Sequence, residues 1–127
     1  MEKANILIVE DEYITALDIK TKLIIKSHYD FHIVASGEEA VKIASLEKFD
    51  LIIMDIKLQG ELDGIEAAKL ILKKQNVPIL FISGNSDLFK SKRLRDMKPF
   101  GILHKPIYDH ELDEFVDRIN KMKADKN

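Results

Sequence analysis

Acidic, hydroxyl and lysine side chains follow the apolar runs of this sequence, at the points where strands would end. The carboxylates of Glu10, Asp11 and Glu12 come after the first run. An aspartate, a serine and a lysine follow later runs, and these are Asp55, Ser83 and Lys105. Carboxylates gathered at one place repel one another unless a cation lies among them, and oxygen ligands without nearby histidine or cysteine favour Mg²⁺. The set therefore predicts a magnesium site.

The same residues could bind a phosphoryl group. A divalent cation and an ammonium group neutralise phosphoryl oxygens, and a hydroxyl adds a directed hydrogen bond. The sequence contains no Walker-type phosphate loop, no GxGxxG segment and no nucleophilic Ser-His-Asp arrangement. The candidate covalent acceptor at the centre of the set is therefore Asp55, whose carboxylate can form an acyl phosphate.

The polar set must be positioned by the elements that precede it, and hydropathy predicts those elements. Residues 6–9, 51–54 and 79–82 are unbroken apolar runs, which are typical of parallel strands covered on both faces. Residues 31–35 form a weaker run, as expected of an edge strand, and residues 102–103 form the centre of a fifth strand.

Helical periodicity lies between the predicted strands. The first helix is predicted to place four residues on one face: Ile14, Leu17, Thr21 and Ile24. Ser36 and Asp63 are predicted to cap the second and third helices. The segment 86–97 is also predicted to be a helix, but its apolar residues are scattered among charges and it is the least regular of the five.

Strict alternation of five strands and five helices predicts an α/β fold, a doubly wound parallel sheet with right-handed crossovers. The flavodoxin-like strand order 2-1-3-4-5 is the common solution, with the ligand crevice outside the carboxyl ends of strands 1 and 3. We expect residues 1–127 to form a single domain with a core of about residues 5–122, and no output domain in this chain.

Composition excludes several classes of protein. The chain has 127 residues, no cysteine and a net charge of −2, so nothing favours a disulfide framework or a general attraction to nucleic acid. No apolar run reaches the roughly 18 residues of a membrane span, and the N-terminus lacks the apolar region of a signal peptide. We therefore expect a cytoplasmic protein with no membrane partner and no direct nucleic-acid partner.

Four motifs in the expected order resemble the response-regulator receiver family. They are residues 6–12, 51–55, 81–84 and 104–106, and the spacing agrees from Asn5 to about Met122. The resemblance implies a two-component phosphorelay receiver that takes a phosphoryl group onto Asp55. Its partners would be a sensor histidine kinase or a histidine phosphotransfer protein and an unknown downstream protein. A phosphorylation-dependent homodimer is left open.

The resemblance also implies a ligand set for the metal. Asp11 and Asp55 would bind Mg²⁺ directly, Glu10 would act through a water molecule, and the backbone carbonyl of Lys57 would be a further ligand. Helical geometry is expected to point Glu12 away from this rim of the sheet.

Other residues would hold the phosphoryl oxygens in a receiver of this kind. Ser83 and Lys105 would bind them through their side chains, with help from the backbone N–H groups of Lys57 and Gly84. The peptide bond between Lys105 and Pro106 is predicted to be cis, since that turn would aim the lysine at the acyl phosphate.

The sequence departs from the family pattern in two places. Leu58 and Gln59 replace the usual Met-Pro pair, and the loop that follows is one residue longer than is common. Ile102 stands where many receivers carry a tyrosine or phenylalanine. We therefore predict that phosphorylation changes the surface of helix 4, strand 5 and helix 5 without an aromatic switch.

Two alternatives to this phosphoacceptor switch, which is not a conventional enzyme, stay open. An aspartate-nucleophile phosphatase would also form an aspartyl phosphate, but it typically has an acid two residues after the nucleophile, where this chain has Lys57. A docking module that never uses phosphate is the second alternative. The four histidines, at positions 28, 32, 104 and 110, show no metal-ligand spacing and are predicted to be structural or surface residues.

Overall fold

The computed structural model describes residues 4–26 and 29–126, so the prediction for His28 lies outside the described residues. Five parallel strands form one sheet in the order β2-β1-β3-β4-β5, which confirms the predicted flavodoxin-like topology. The strands are β1 (Ala4–Val9), β2 (Tyr29–Val34), β3 (Leu51–Asp55), β4 (Ile79–Ser83) and β5 (Gly101–His104).

Helices connect the strands and cover both faces of the sheet. They are α1 (Tyr13–Lys26), α2 (Gly37–Ala44), α3 (Gly64–Leu72), α4 (Lys92–Asp96) and α5 (Asp109–Lys126). Across residues 4–26 and 29–126, no helix has both the length and the apolar character that crossing a membrane requires.

The apolar runs form strands because both of their faces are buried. Every residue of β3 and β4 is buried, whereas the edge strand β2 is only partly covered. Alternate side chains enter opposite layers. In β4, for example, Phe81 packs in the layer with α2, α3 and α4, and Leu80 packs in the layer with α1 and α5.

The predicted buried face of α1 is wrong. The residues of α1 that enter the core are Ala16, Ile19 and Leu23, whereas Ile14 is 83% exposed and Ile24 is 51% exposed. Apolar residues occur around much of this helix, so helical spacing fits more than one face. Packing against the sheet selects the face with the small Ala16.

The single helix predicted over residues 86–97 is two elements. A 3-10 helix spans Ser86–Lys90, and α4 begins at Lys92. Ser91 lies between them with extended backbone, and its side chain accepts a hydrogen bond from the Leu94 N–H at 3.5 Å as the N-cap of α4. A serine can end one helix and start the next because its hydroxyl replaces a missing backbone partner.

Candidate functional site

The polar residues of the predicted set meet at one end of the sheet. β1, β3, β4 and β5 are parallel, so their carboxyl ends lie at the same rim. Strand register brings Asp55 opposite Ile82, and the backbone N–H of Lys105 donates to the Ser83 carbonyl at 2.9 Å. Residues distant in sequence therefore become neighbours here.

Asp55 is 3% exposed and is held from two sides. Its Oδ1 accepts a hydrogen bond from the backbone N–H of Lys57 at 3.1 Å, and its Oδ2 accepts one from Lys105 Nζ at 2.9 Å. The first residue of α3, Gly64, packs against the Asp55 backbone so closely that a Cβ at Gly64 would lie 2.1 Å from the Asp55 carbonyl oxygen. Only glycine fits there.

Lys105 joins the acidic side chains. Its Nζ lies 2.7 Å from Glu10 Oε1, 2.9 Å from Asp55 Oδ2 and 3.5 Å from Glu12 Oε1. Burial by itself lowers the pKa of the Lys105 ammonium, but the hydrogen bonds and charges of Glu10 and Asp55 outweigh burial and raise this pKa above its ordinary value. Lys105 is therefore a fixed positive charge beside Asp55.

Glu10 directly follows β1 and is 1% exposed. The pKa of its carboxyl is raised from 4.5 to about 8, mainly by burial. The hydrogen bond and charge of Asp55 contribute to this rise, and those of Lys105 oppose it. Its Oε2 has no hydrogen-bond partner among the described residues. An unpartnered buried oxygen is costly unless a water or an ion completes the site.

The carboxylates can act as a metal site. Oxygen atoms of Glu10, Asp11 and Asp55 all lie within 4.8 Å of one another. The donors are oxygens, which suits a hard cation such as Mg²⁺ rather than zinc. Together with the unpartnered Glu10 oxygen, this donor set fits a divalent cation bound next to Asp55.

Ser83 completes the rim from the next strand and is 1% exposed. Its Oγ accepts a hydrogen bond from the Asn85 N–H at 3.0 Å and donates to the Asn85 carbonyl at 3.4 Å. No atom lies within 4 Å of where a Cβ at Gly84 would be, so the backbone there is open. The hydroxyl can therefore exchange its local bonds for a ligand.

The set surrounds an open cavity of about 640 Å³, which we call the acceptor cleft. Six of the seven predicted site residues line it: Asp11, Asp55, Lys57, Ser83, Gly84 and Lys105. The seventh, Glu10, contacts Lys105 at 2.7 Å. The Lys105–Pro106 peptide bond is cis, as predicted.

Sequence reasoning missed two features of this site. Glu12 does not point away, since its carboxylate approaches Lys105 and lines the acceptor cleft. Gln59 also lines the cleft. Its departure from the usual Met-Pro pair, together with Leu58, was the feature of the sequence that could have pointed to it. The described histidines take no part in the acidic cluster: His32 pairs with Glu47 at 3.0 Å, and His104 packs edge-on against Phe89.

Comparisons with known proteins show which family and which solved structures the chain is similar to. The family model described as "Response regulator receiver domain" matches residues 6–117. The "Transcriptional regulatory protein PdtaR" of Mycobacterium tuberculosis is 36% identical over 102 residues, covering 80% of this chain and 49% of the relative. The PhoP regulator of alkaline phosphatase synthesis from Bacillus subtilis is 34% identical, with 91% and 48% covered. The chain thus spans about half the length of these relatives.

Solved structures show the same likeness. The signal receiver domain of a modulated diguanylate cyclase from Desulfovibrio desulfuricans G20 matches with a TM-score of 0.85 and 34% identity, over 98% of this chain and 99% of that one. The receiver domain of sensor histidine kinase PA1611 from Pseudomonas aeruginosa PAO1, solved with magnesium in its active-site cleft, matches with a TM-score of 0.80 and 30% identity, over 94% and 99%.

Proposed function

We propose that this chain, which belongs to the response regulator receiver family, takes up a phosphoryl group on Asp55 in a two-component phosphorelay. The observation that carries the proposal is the placement of Asp55, which is buried at the rim of the sheet between the Lys57 N–H and Lys105 Nζ. A buried carboxylate with a fixed ammonium beside it is suited to receive a group that carries negative charge.

The proposed transfer is a displacement at phosphorus. A carboxylate oxygen of Asp55 forms a new P–O bond while the P–N bond of a phosphohistidine donor breaks. The imidazole nitrogen keeps the bonding electron pair and is protonated as it leaves. Lys105 and Ser83 would bind phosphoryl oxygens by their side chains, and the N–H groups of Lys57 and Gly84 would bind them by the backbone.

Asp11, Asp55 and the Lys57 carbonyl would hold Mg²⁺ in this proposal, with Glu10 acting through a water molecule. The ion would supply charge neutralisation to the phosphoryl oxygens. The unpartnered Oε2 of Glu10 supports this assignment, since a bound water would give it a partner. Lys105 balances part of the acidic charge when the ion is absent.

The donor is proposed to be a sensor histidine kinase or a histidine phosphotransfer protein, approaching over α1. Tyr13 is 67% exposed and Ile14 is 83% exposed at the start of this helix. Ile14 also lines a cavity of about 510 Å³ together with Lys105, Pro106 and Ile107. An exposed apolar surface that reaches Lys105 suits a protein donor. A phosphorylation-dependent homodimer and a cytoplasmic location remain part of the proposal.

The output is proposed to be a change in the surface of α4, β5 and α5. Ser83 would turn from Asn85 to a phosphoryl oxygen and draw the following residues with it. Ile102 on β5 is partly buried against the core, so no aromatic ring fills the space that Ser83 vacates. The signal would therefore depend on the backbone of residues 86–96, which we call the output segment.

Labelling with acetyl phosphate and Mg²⁺ tests the proposed function. We expect one phosphoryl group per chain, detected by intact mass, and at least 10²-fold less in Asp55→Asn, because the amide is not a nucleophile. Asp30→Asn is the matched control, since Asp30 is exposed on the edge strand β2. Continuous turnover of the donor would favour the phosphatase alternative. Absence of label in the unaltered chain would favour the docking module.

A further inference from the structure

One side-chain contact joins the loop after Asp55 to helix α4. Arg93 Nη2 donates to both carboxylate oxygens of Asp63, at 3.3 Å to Oδ1 and 3.1 Å to Oδ2. The side chain of Arg93 is 51% exposed and that of Asp63 is 32% exposed, and the two residues lie 30 positions apart in the sequence. The contact therefore ties two elements that the chain does not connect directly.

The Asp63 end of this contact reaches the acceptor. Asp63 is the N-cap of α3: its Oδ1 accepts from the Glu66 N–H at 2.8 Å, and its own N–H donates to Glu66 Oε1 at 3.0 Å. The next residue, Gly64, donates its N–H to the Ile56 carbonyl at 2.8 Å and packs on the Asp55 backbone. A displacement of Asp63 is thus passed to the residues that hold the reactive carboxylate.

The Arg93 end lies in the output segment, where few residues are buried. None of the five residues Ser86–Lys90 is buried, and within Lys92–Asp96 Leu94 alone is buried. A cavity of about 200 Å³ lies between Ile56 and Leu58, which follow Asp55, and Leu88 and Ser91 of the output segment. A segment with little burial and space beside it can take a second position at small cost.

We infer that the Arg93–Asp63 pair is a latch that favours the unphosphorylated position of the output segment, and this inference rests on the proposed function. When Ser83 leaves Asn85 for a phosphoryl oxygen, the output segment moves and Arg93 separates from Asp63. Linkage requires that a contact made only in the resting arrangement weakens phosphoryl binding, by at most the factor by which it stabilises that arrangement. Breaking the latch therefore tightens the binding of a phosphoryl group.

Two single variants break the pair while keeping the rest of the site. Asp63→Asn keeps the N-cap, because asparagine caps helices as well as aspartate does, and its Oδ1 still faces the Glu66 N–H. Arg93→Gln keeps a long polar side chain on α4. Arg95→Gln is the matched control, since exposed Arg95 forms no side-chain ion pair within the described part of the chain.

The test is the affinity of each magnesium-loaded chain for beryllofluoride, which mimics a phosphoryl group on aspartate. We expect Asp63→Asn and Arg93→Gln each to bind it about two- to fivefold more tightly, the range that an exposed ion pair contributes. The double variant should bind no more tightly than either single variant, and Arg95→Gln should match the unaltered chain. Hydrogen exchange at residues 86–96 should rise in both single variants before any mimic is added.

The direction of the two effects separates a latch from a simple charge effect. Removing the Arg93 charge would weaken the binding of an anion, and removing the Asp63 charge would strengthen it, if only the local potential mattered. The latch would be overturned if the two single variants shifted the beryllofluoride affinity in opposite directions, or if they bound it no more tightly than the unaltered chain. It would also be overturned if the effects of the two changes added in the double variant. None of these results would affect the assignment of Asp55 as the acceptor. Failure of the unaltered chain to bind beryllofluoride at Asp55 would instead overturn the proposed function, and the latch with it.

Discussion

The output segment begins directly after Asn85, which lines the acceptor cleft, but the cleft and the segment are built in opposite ways. Asp55 and Ser83 are no more than 3% exposed and end strands that are paired on both sides. The output segment is a 3-10 helix followed by a five-residue α-helix, with Leu94 as its one buried side chain over residues 86–96. Reacting groups need a fixed geometry, whereas a signal needs an element that can be displaced at low cost.

The largest expected effect tests this difference in packing directly. Phe81 on β4 is 0% exposed, whereas Phe89 in the output segment is partly buried and touches His104 edge-on. Phe81→Ala should lower the free energy of unfolding by about 3–5 kcal/mol, as for other buried aromatic side chains. Phe89→Ala should lower it by about 1 kcal/mol, the scale of an aromatic contact. Urea unfolding measures both, and equal losses would mean that the output segment is held as firmly as the sheet.

A second variant tests how strongly phosphoryl labelling of Asp55 depends on the positive charge of Lys105. Lys105→Ala should slow phosphoryl labelling of Asp55 by about 10²-fold, since a positioned group that stabilises transition-state charge is typically worth that much. Lys123→Ala is the matched control, because Lys123 pairs with Asp50 at 3.0 Å and lies outside the cleft. Labelling of Lys105→Ala at the unaltered rate would remove Lys105 from the proposed mechanism.

Two neighbouring carboxylates should differ in their effect on metal binding. Asp11 has an oxygen within 4.8 Å of those of Glu10 and Asp55, whereas Glu12 is mainly exposed and pairs with Lys105 at 3.5 Å. Asp11→Ala should weaken Mg²⁺ binding by at least about tenfold, because a ligand to the ion is lost. Glu12→Ala should change it far less. Titration calorimetry compares them, and equal affinities would contradict the proposed ligand set.

The smallest predicted change in metal affinity concerns pH. Burial holds the pKa of Glu10 at about 8 without metal, so Mg²⁺ must displace a proton and should bind about fivefold more tightly at pH 8 than at pH 7. Glu10→Gln should lose this dependence.

The raised pKa has a second consequence: without Mg²⁺, stability should fall as pH rises from about 4.5 towards 8, because the unfolded chain releases the Glu10 proton first. A flat affinity between pH 7 and pH 8 would contradict both statements.

The site residues could be predicted from sequence because they lie close to the ends of strands that are recognisable from their apolar runs. The runs before Glu10, Asp55 and Ser83 contain only apolar residues, and parallel strands bring the residues that follow them to one rim. Helix caps were predictable for the same reason. Ser36 and Asp63 accept hydrogen bonds from residues three positions later, so the information lies within a few residues of the chain.

Tertiary structure decided the features that depend on a partner far along the chain. Helical spacing on α1 suited Ile14 and Ile24 as well as Ile19, and the sheet selected Ile19. The approach of Glu12 to Lys105 and of Arg93 to Asp63 joins residues 93 and 30 positions apart, which no local pattern encodes. Periodicity records which residues can share a face, but burial is a property of two surfaces, and the second surface exists only once the chain has folded.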